Sequence, residues 1–217
     1  MREVMQDHPL AEELLLVCLD EYTGEPLLQA DLLGYGLVAA TLIELILQQR
    51  LALNEGQVVV RDARPHNDTG DPIVENIMRQ PKRHLPRTWI EALSGEIVPL
   101  IGHRLAQANL VTHQESKKLF GKVVTRFPAV DPHEGARPRF WLSYLAGHPD
   151  EMDLRGAANI VILVTLGAES ILAPNVTNQK IRETADQLAA RTPPDVQAIL
   201  AGLGTVVTAM SLKVRRI

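Results

Sequence analysis

The chain has a single cysteine among its 217 residues, and aromatic side chains make up only 4% of it. One thiol excludes an internal disulfide framework and a multi-cysteine zinc site. Cys18 lies in the apolar run EELLLVCLDE and reads as a buried small hydrophobe. With so few aromatics, the core must be aliphatic. Excess positive charge is missing too: the net charge is −4. A surface built throughout for nucleic acid or anionic lipid is therefore excluded, and only a local basic patch remains open. The first residues, MREVMQDHP, carry no basic segment followed by an apolar one. No secretory signal is expected, and the expected location is cytoplasmic, with a peripheral place on the inner membrane face left open. Catalytic signatures are lacking as well. There is no GxSxG, HExxH or Walker loop, and Gly34-Tyr35-Gly36 is only a GxG without a preceding strand. The seven histidines are scattered. The chain is read as non-enzymatic, without cofactor. His66, Asp68 and Asp71 offer metal-type ligands, but EF-hand spacing is absent and Asx-turn chemistry explains the same residues. No metal is expected.

What is present is apolar sequence, 46% of the chain, enough for a folded core. Residues 37–47 are apolar except for Thr41 and Glu44. The run is interrupted by Gly34, Gly36 and Glu44, ends in Gln48-Gln49-Arg50, and falls short of a membrane span. It is read as a core helix, in which Glu44 needs a partner. Residues 157–166, AANIVILVTL, mark a second core helix.

The remaining elements are lighter. Residues 10–19 read as a short buried helix behind Pro9, with Glu12 and Glu13 at the positive end of its dipole. Asn54-Glu55-Gly56 turns a hairpin over 51–62. Residues 73–79 read as a helix. Thr88 and Glu91 suggest a capping box for a helix over 88–93, closed or kinked by Ser94-Gly95. A separate helix is expected over 101–109, then a second hairpin with Gly121 near its tip. Residues 129–139, with three prolines nearby, read as a loop before a short helix over 140–146. Helices over 178–191 and 195–212 complete the chain. The expected fold is mostly α: a compact helical domain around two buried apolar helices, about 37–50 and 157–172, with two or three small peripheral β-hairpins. Residues 1–9 are expected as a loose tail and 10–217 as one domain.

Three surfaces invite a ligand. The basic loop holding Arg79, Lys82, Arg83, His84 and Arg87 suits phosphate, or is simply a solvated loop. Arg137 and Arg139 flank Phe140-Trp141, although an aromatic pair docked in the core is the favoured reading. In the second hairpin Leu119 and Phe120 stand among Lys117, Lys118 and Lys122. Such a pair could touch a membrane, a second copy or the core. The repeated pattern of helix, strand and hairpin also raises a winged-helix DNA binder. Its candidate recognition helix, 37–47, has no basic or amide residue for base edges, so nucleic acid is disfavoured.

Several stretches together resemble the Golgi phosphoprotein 3 family of peripheral proteins that bind phosphatidylinositol 4-phosphate. They are LAEELLLVCL (10–19), LIELILQQRL (42–51), Thr69-Gly70-Asp71, WIEALSGE (89–96) and PDEMD (149–153), in the same order along nearly the whole chain. The chain is similar to the bacterial members, which lack the long polar N-terminal extension. The resemblance implies one mostly helical domain, a basic membrane face and a hairpin, about 114–125, that mediates self-association. Anionic lipid headgroups, phosphoinositides among them, are the implied ligands, and a protein partner is a further possibility, since eukaryotic members hold enzyme tails. Aligned on LIEL, the Golgi proteins' headgroup tryptophan falls on Gln29 and their arginine on Val38. Only His103 and Arg104 stand near the other two cations, with Lys82, Arg83 and Arg87 as further headgroup candidates. The expectation is a shared scaffold with an altered headgroup pocket. The alternatives are a soluble protein–protein module that has lost the lipid site, or the DNA binder.

Overall fold

Pro9 presets the first turn of helix α1, Leu10–Cys18, and its carbonyl accepts the amides of Glu12 and Glu13 at 2.9 and 3.1 Å. Every residue of α1 is buried, the two glutamates included. The computed structural model describes residues 8–117, 123–172 and 176–214. A turn built on Asp20, which accepts the amides of Tyr22 and Thr23, leads to α2, Ala30–Leu47. Strands β1, Leu51–Asn54, and β2, Gln57–Val60, form an antiparallel hairpin with Leu51 opposite Val60. Glu55 and Gly56 both take positive φ at its tip, as a two-residue hairpin turn requires. Helices α3, Asp71–Arg79, and α4, Pro86–Gln107, follow. A second hairpin pairs β3, Gln114–Lys117, with β4, Val123–Arg126. Then come α5, Pro132–Gly147, α6, Leu154–Thr165, α7, Asn178–Ala189, and α8, Pro194–Val214.

Helix α2 is the hub, with α1, α4, α6 and α8 all packed on it. Two glycines permit that closeness. A Cβ on Gly34 would lie 2.5 Å from the Ser94 carbonyl oxygen, and one on Gly36 would lie 2.7 Å from Leu166. The interruptions in the apolar run are thus contact points. Among the described residues two helices are long and apolar enough to cross a membrane, Ala30–Leu47 and Pro194–Leu212. For α2 the surrounding protein already buries 67% of that window, against 28% for α8. A core helix is therefore the physical role of α2. The mostly helical fold with two apolar core helices and small hairpins is as expected. Among the described residues there are two hairpins.

Three segments differ from expectation. The second core helix ends at Thr165, not near 172, because Gly167 takes a positive φ and turns the chain into a short 3-10 segment, Glu169–Leu172. Helix α4 is continuous where a break was expected at Ser94-Gly95, and Leu85, not Thr88, precedes it. An interior Gly costs about 1 kcal/mol and an interior Pro about 3 kcal/mol. Burying Trp89, Ile90, Ile97, Ile101 and Leu105 on one side outweighs Gly95 and Pro99, at roughly 1.5–3 kcal/mol for each large side chain. Helix α5 starts at Pro132, within the expected loop. Asp131 caps it by accepting the His133 amide at 2.9 Å, and Pro132 sits in the first turn, where its missing N–H costs nothing. Phe140 does not dock into the core; it is 60% exposed, while Trp141 is half-buried.

Candidate functional site

Arg50 leaves the end of α2 and is only 1% exposed, so its charge has to be met inside the protein. It donates to Asp68 at 3.0 Å, to Asp71 at 2.6 Å and to the Arg64 carbonyl at 3.1 Å. Asp68 also accepts the amides of Gly70 and Asp71, and Asp71 those of His66 and Asn67. The segment with metal-type ligands is thus a clasp whose carboxylates face an arginine. Among the described residues no group of three His, Cys, Asp or Glu could hold a metal ion.

Thr69 extends the clasp by donating to buried Glu12 at 2.9 Å. Arg104 of α4 reaches the same carboxylate at 3.4 Å and donates to the Asn67 carbonyl at 2.8 Å. Burial alone would raise the Glu12 carboxyl, but hydrogen bonds from His8 and Thr69 and the charge of Arg104 outweigh it, and it sits below its ordinary range. Glu44 of α2 finds the partner it needs in Arg155 of α6, at 2.6 and 2.7 Å, and accepts the Leu10 amide at 3.0 Å.

The candidate headgroup residues fall at opposite ends of α4. Arg87 and Arg104 stand 17 positions apart on one helix, about 25 Å along its axis. One headgroup cannot meet both. Arg104 is engaged in the clasp. His103 is exposed beside His113, with ring centroids 4.7 Å apart, and both lie near Phe127. Gln29 precedes α2 on the surface, whereas Val38 is fully buried. Residues 37–43 and Leu45 are buried, so the helix considered for DNA recognition does not present that run to a groove. The hairpin tip, Lys118, Leu119, Phe120 and Lys122, lies outside the described residues, as does the side chain of Lys117.

Lys82 and Arg83 lie just before α4 and Arg87 in its first turn, and all three are exposed. None forms an ion pair or hydrogen bond with a described residue. Lys82 and Arg83 line an open groove of about 280 Å³ with Val58–Val60, Met78, Pro81 and Trp89. The groove lies against β2, whose Val58 donates its amide to the His84 carbonyl at 2.9 Å. Trp89 is 4% exposed, and its indole N–H is buried without a hydrogen-bond partner. The first turn of α4 has no side-chain cap and no acidic residue, so its dipole adds to the positive field, although Pro86 has no N–H and the Thr88 amide is held by the Leu85 carbonyl. Met78 and Leu85, at 58% and 41% exposure, give the rim an apolar edge. The basic loop was legible from sequence; the unmet indole donor and the exposed Met78 were not, because both depend on where β2 packs.

A family model described as Golgi phosphoprotein 3 (GPP34) matches residues 10–207. No curated protein matches the chain.

Proposed function

Because the chain belongs to the Golgi phosphoprotein 3 family, we propose that it is a non-enzymatic, adaptor-type peripheral membrane protein that meets anionic lipid headgroups at the basic groove beside α4. One observation carries this reading: Lys82 and Arg83, exposed and without an ion pair among the described residues, line a groove beside the N-terminal end of α4, where Arg87 adds a third cation. An anionic headgroup would meet the two groove cations. Met78 and Leu85 would rest against the headgroup layer. Val38 and the engaged Arg104 argue for general affinity for negative charge over selection of phosphatidylinositol 4-phosphate. Self-association through the 114–125 hairpin belongs to the same proposal, because each copy offers only a few charges. A Leu119→Ser, Phe120→Ser chain is expected to run as a monomer in analytical ultracentrifugation.

The same two residues favour a second reading, a soluble interaction module without a lipid site. Flotation separates the two. Lys82→Glu, Arg83→Glu and Arg87→Glu together should abolish binding to phosphatidylserine vesicles if the groove is the contact. If the unaltered chain already fails to float at low salt, the membrane reading falls.

A further inference from the structure

A second cavity, of about 160 Å³, lies between α1, α5 and α6, and the groove's chemistry is reversed there. Its apolar walls include Val17, Trp141, Leu142 and Leu145. Its polar lining includes Asn159 and Glu13, the first with a buried acceptor that no described residue meets. Asn159 is 2% exposed, and its Oδ1 has no hydrogen-bond partner. Glu13 is 8% exposed and makes no hydrogen bond with a described residue. A buried acceptor without a donor is costly, and protein interiors rarely leave one empty. Both line the same cavity, so one donor-bearing guest would satisfy both.

Charge narrows the guest. Arg155 also lines the cavity, but its guanidinium is matched by Glu44 and the His8 carbonyl. Glu151 and Asp153 add negative charge. Asp153 caps α6 through the Gly156 amide, and Glu151 accepts from Tyr144. Tyr144 in turn stacks on Trp141 at 5.4 Å, which holds that indole in place as an aromatic wall. An unmet acceptor, neighbouring carboxyl groups and an indole wall are features that recognise an ammonium.

We propose that this cavity binds a small organic ammonium group on a short apolar stem, its N–H donors shared between Glu13 and Asn159 and its charge set against Trp141. Burial pushes the Glu13 carboxyl up to about 8, with Arg155 and His8 opposing and Asp153 and Glu44 adding to the rise. An arriving ammonium ionises it, so binding at neutral pH releases a proton. Affinity then rises by up to about tenfold per pH unit towards pH 8 and levels off above it.

Calorimetry with butylammonium tests this directly, with tetramethylammonium as a cation lacking N–H donors and butanoate as the reversed charge. The expected result is one-to-one binding of butylammonium at pH 8, at least tenfold weaker binding of tetramethylammonium, and none of butanoate. Asn159→Leu and Glu13→Gln should each weaken butylammonium at least tenfold. Asn159→Leu removes the unmet amide and Glu13→Gln replaces a titrating carboxyl by a neutral amide, so their thermal midpoints should not fall, and circular dichroism verifies that they fold. Repeating the titration in buffers of different ionisation enthalpy should reveal the released proton. No heat with butylammonium at millimolar concentration, or equal affinity in both variants, would mean that the cavity holds water only and would overturn the proposal. A free amine and a phosphatidylethanolamine headgroup share this chemistry. Vesicles of phosphatidylethanolamine in phosphatidylcholine separate them: flotation that butylammonium competes away assigns the ammonium to a lipid, and its absence assigns it to a free amine.

Discussion

Arg50 and Glu13 are both buried ionisable residues, and they act on stability in opposite directions. Arg50 meets two carboxylates and a carbonyl, so its removal strands Asp68 and Asp71. Arg50→Ala should cost about 3–5 kcal/mol in urea denaturation. Glu13 has no such partner, and its carboxyl is raised from 4.5 to about 8 by burial. Below pH 4.5 the folded and unfolded chains both keep the proton, and no penalty exists. Between 4.5 and about 8 only the unfolded chain ionises, so stability falls by about 1.4 kcal/mol for each pH unit. Glu13→Gln should therefore be more stable than the parent by up to about 3 kcal/mol at pH 7 and no different at pH 4. Thermal scans at the two pH values check this. At this scale the sequence was half legible. Glu44 announced its need for a partner by interrupting an apolar run, but Arg155 lies 111 positions away and carries no local mark.

Glycines separate what an element tolerates from what its packing demands. Gly95 lies inside α4, and a Cβ there would meet nothing within 4 Å. Gly95→Ala should raise stability by about 0.5–1 kcal/mol through reduced backbone entropy of the unfolded chain. Gly34 lies inside α2, where a Cβ would strike the Ser94 carbonyl oxygen at 2.5 Å. Gly34→Ala should destabilise by about 1–3 kcal/mol, since α2 and α4 must part. Chemical denaturation of the pair measures both signs at once. The same contrast explains which elements could be read. The apolar runs of α2 and α6 are dense enough to declare themselves. Ser94-Gly95 and the prolines at 132 and 138 carry strong local signals for a stop, and tertiary burial overrules them. Local chemistry could not reveal that Trp89 and Leu105 share a buried side of one helix.

For the whole molecule, charge placement matters more than total charge. The chain is net negative, yet three cations that pair with no described residue stand at one end of α4, while Arg104, at the other end, is drawn into the Glu12 clasp. The clasp over residues 67–71 ties α1, Arg50 beyond the end of α2, and α4 together. A basic residue near an anionic surface contributes about 1 kcal/mol, so on the proposed reading the three cations would supply about 3 kcal/mol, and tight attachment would need several copies or apolar contact. Binding should weaken steeply with salt. The most direct test is flotation of the full chain with vesicles that carry phosphatidylserine or phosphatidylinositol 4-phosphate at matched surface charge, at low and at physiological salt. The groove predicts equal binding to both at low salt, loss of binding as salt rises, and no binding by the Lys82→Glu, Arg83→Glu, Arg87→Glu chain. Failure of the unaltered chain to float at low salt, or salt-resistant selection of phosphatidylinositol 4-phosphate, would contradict it.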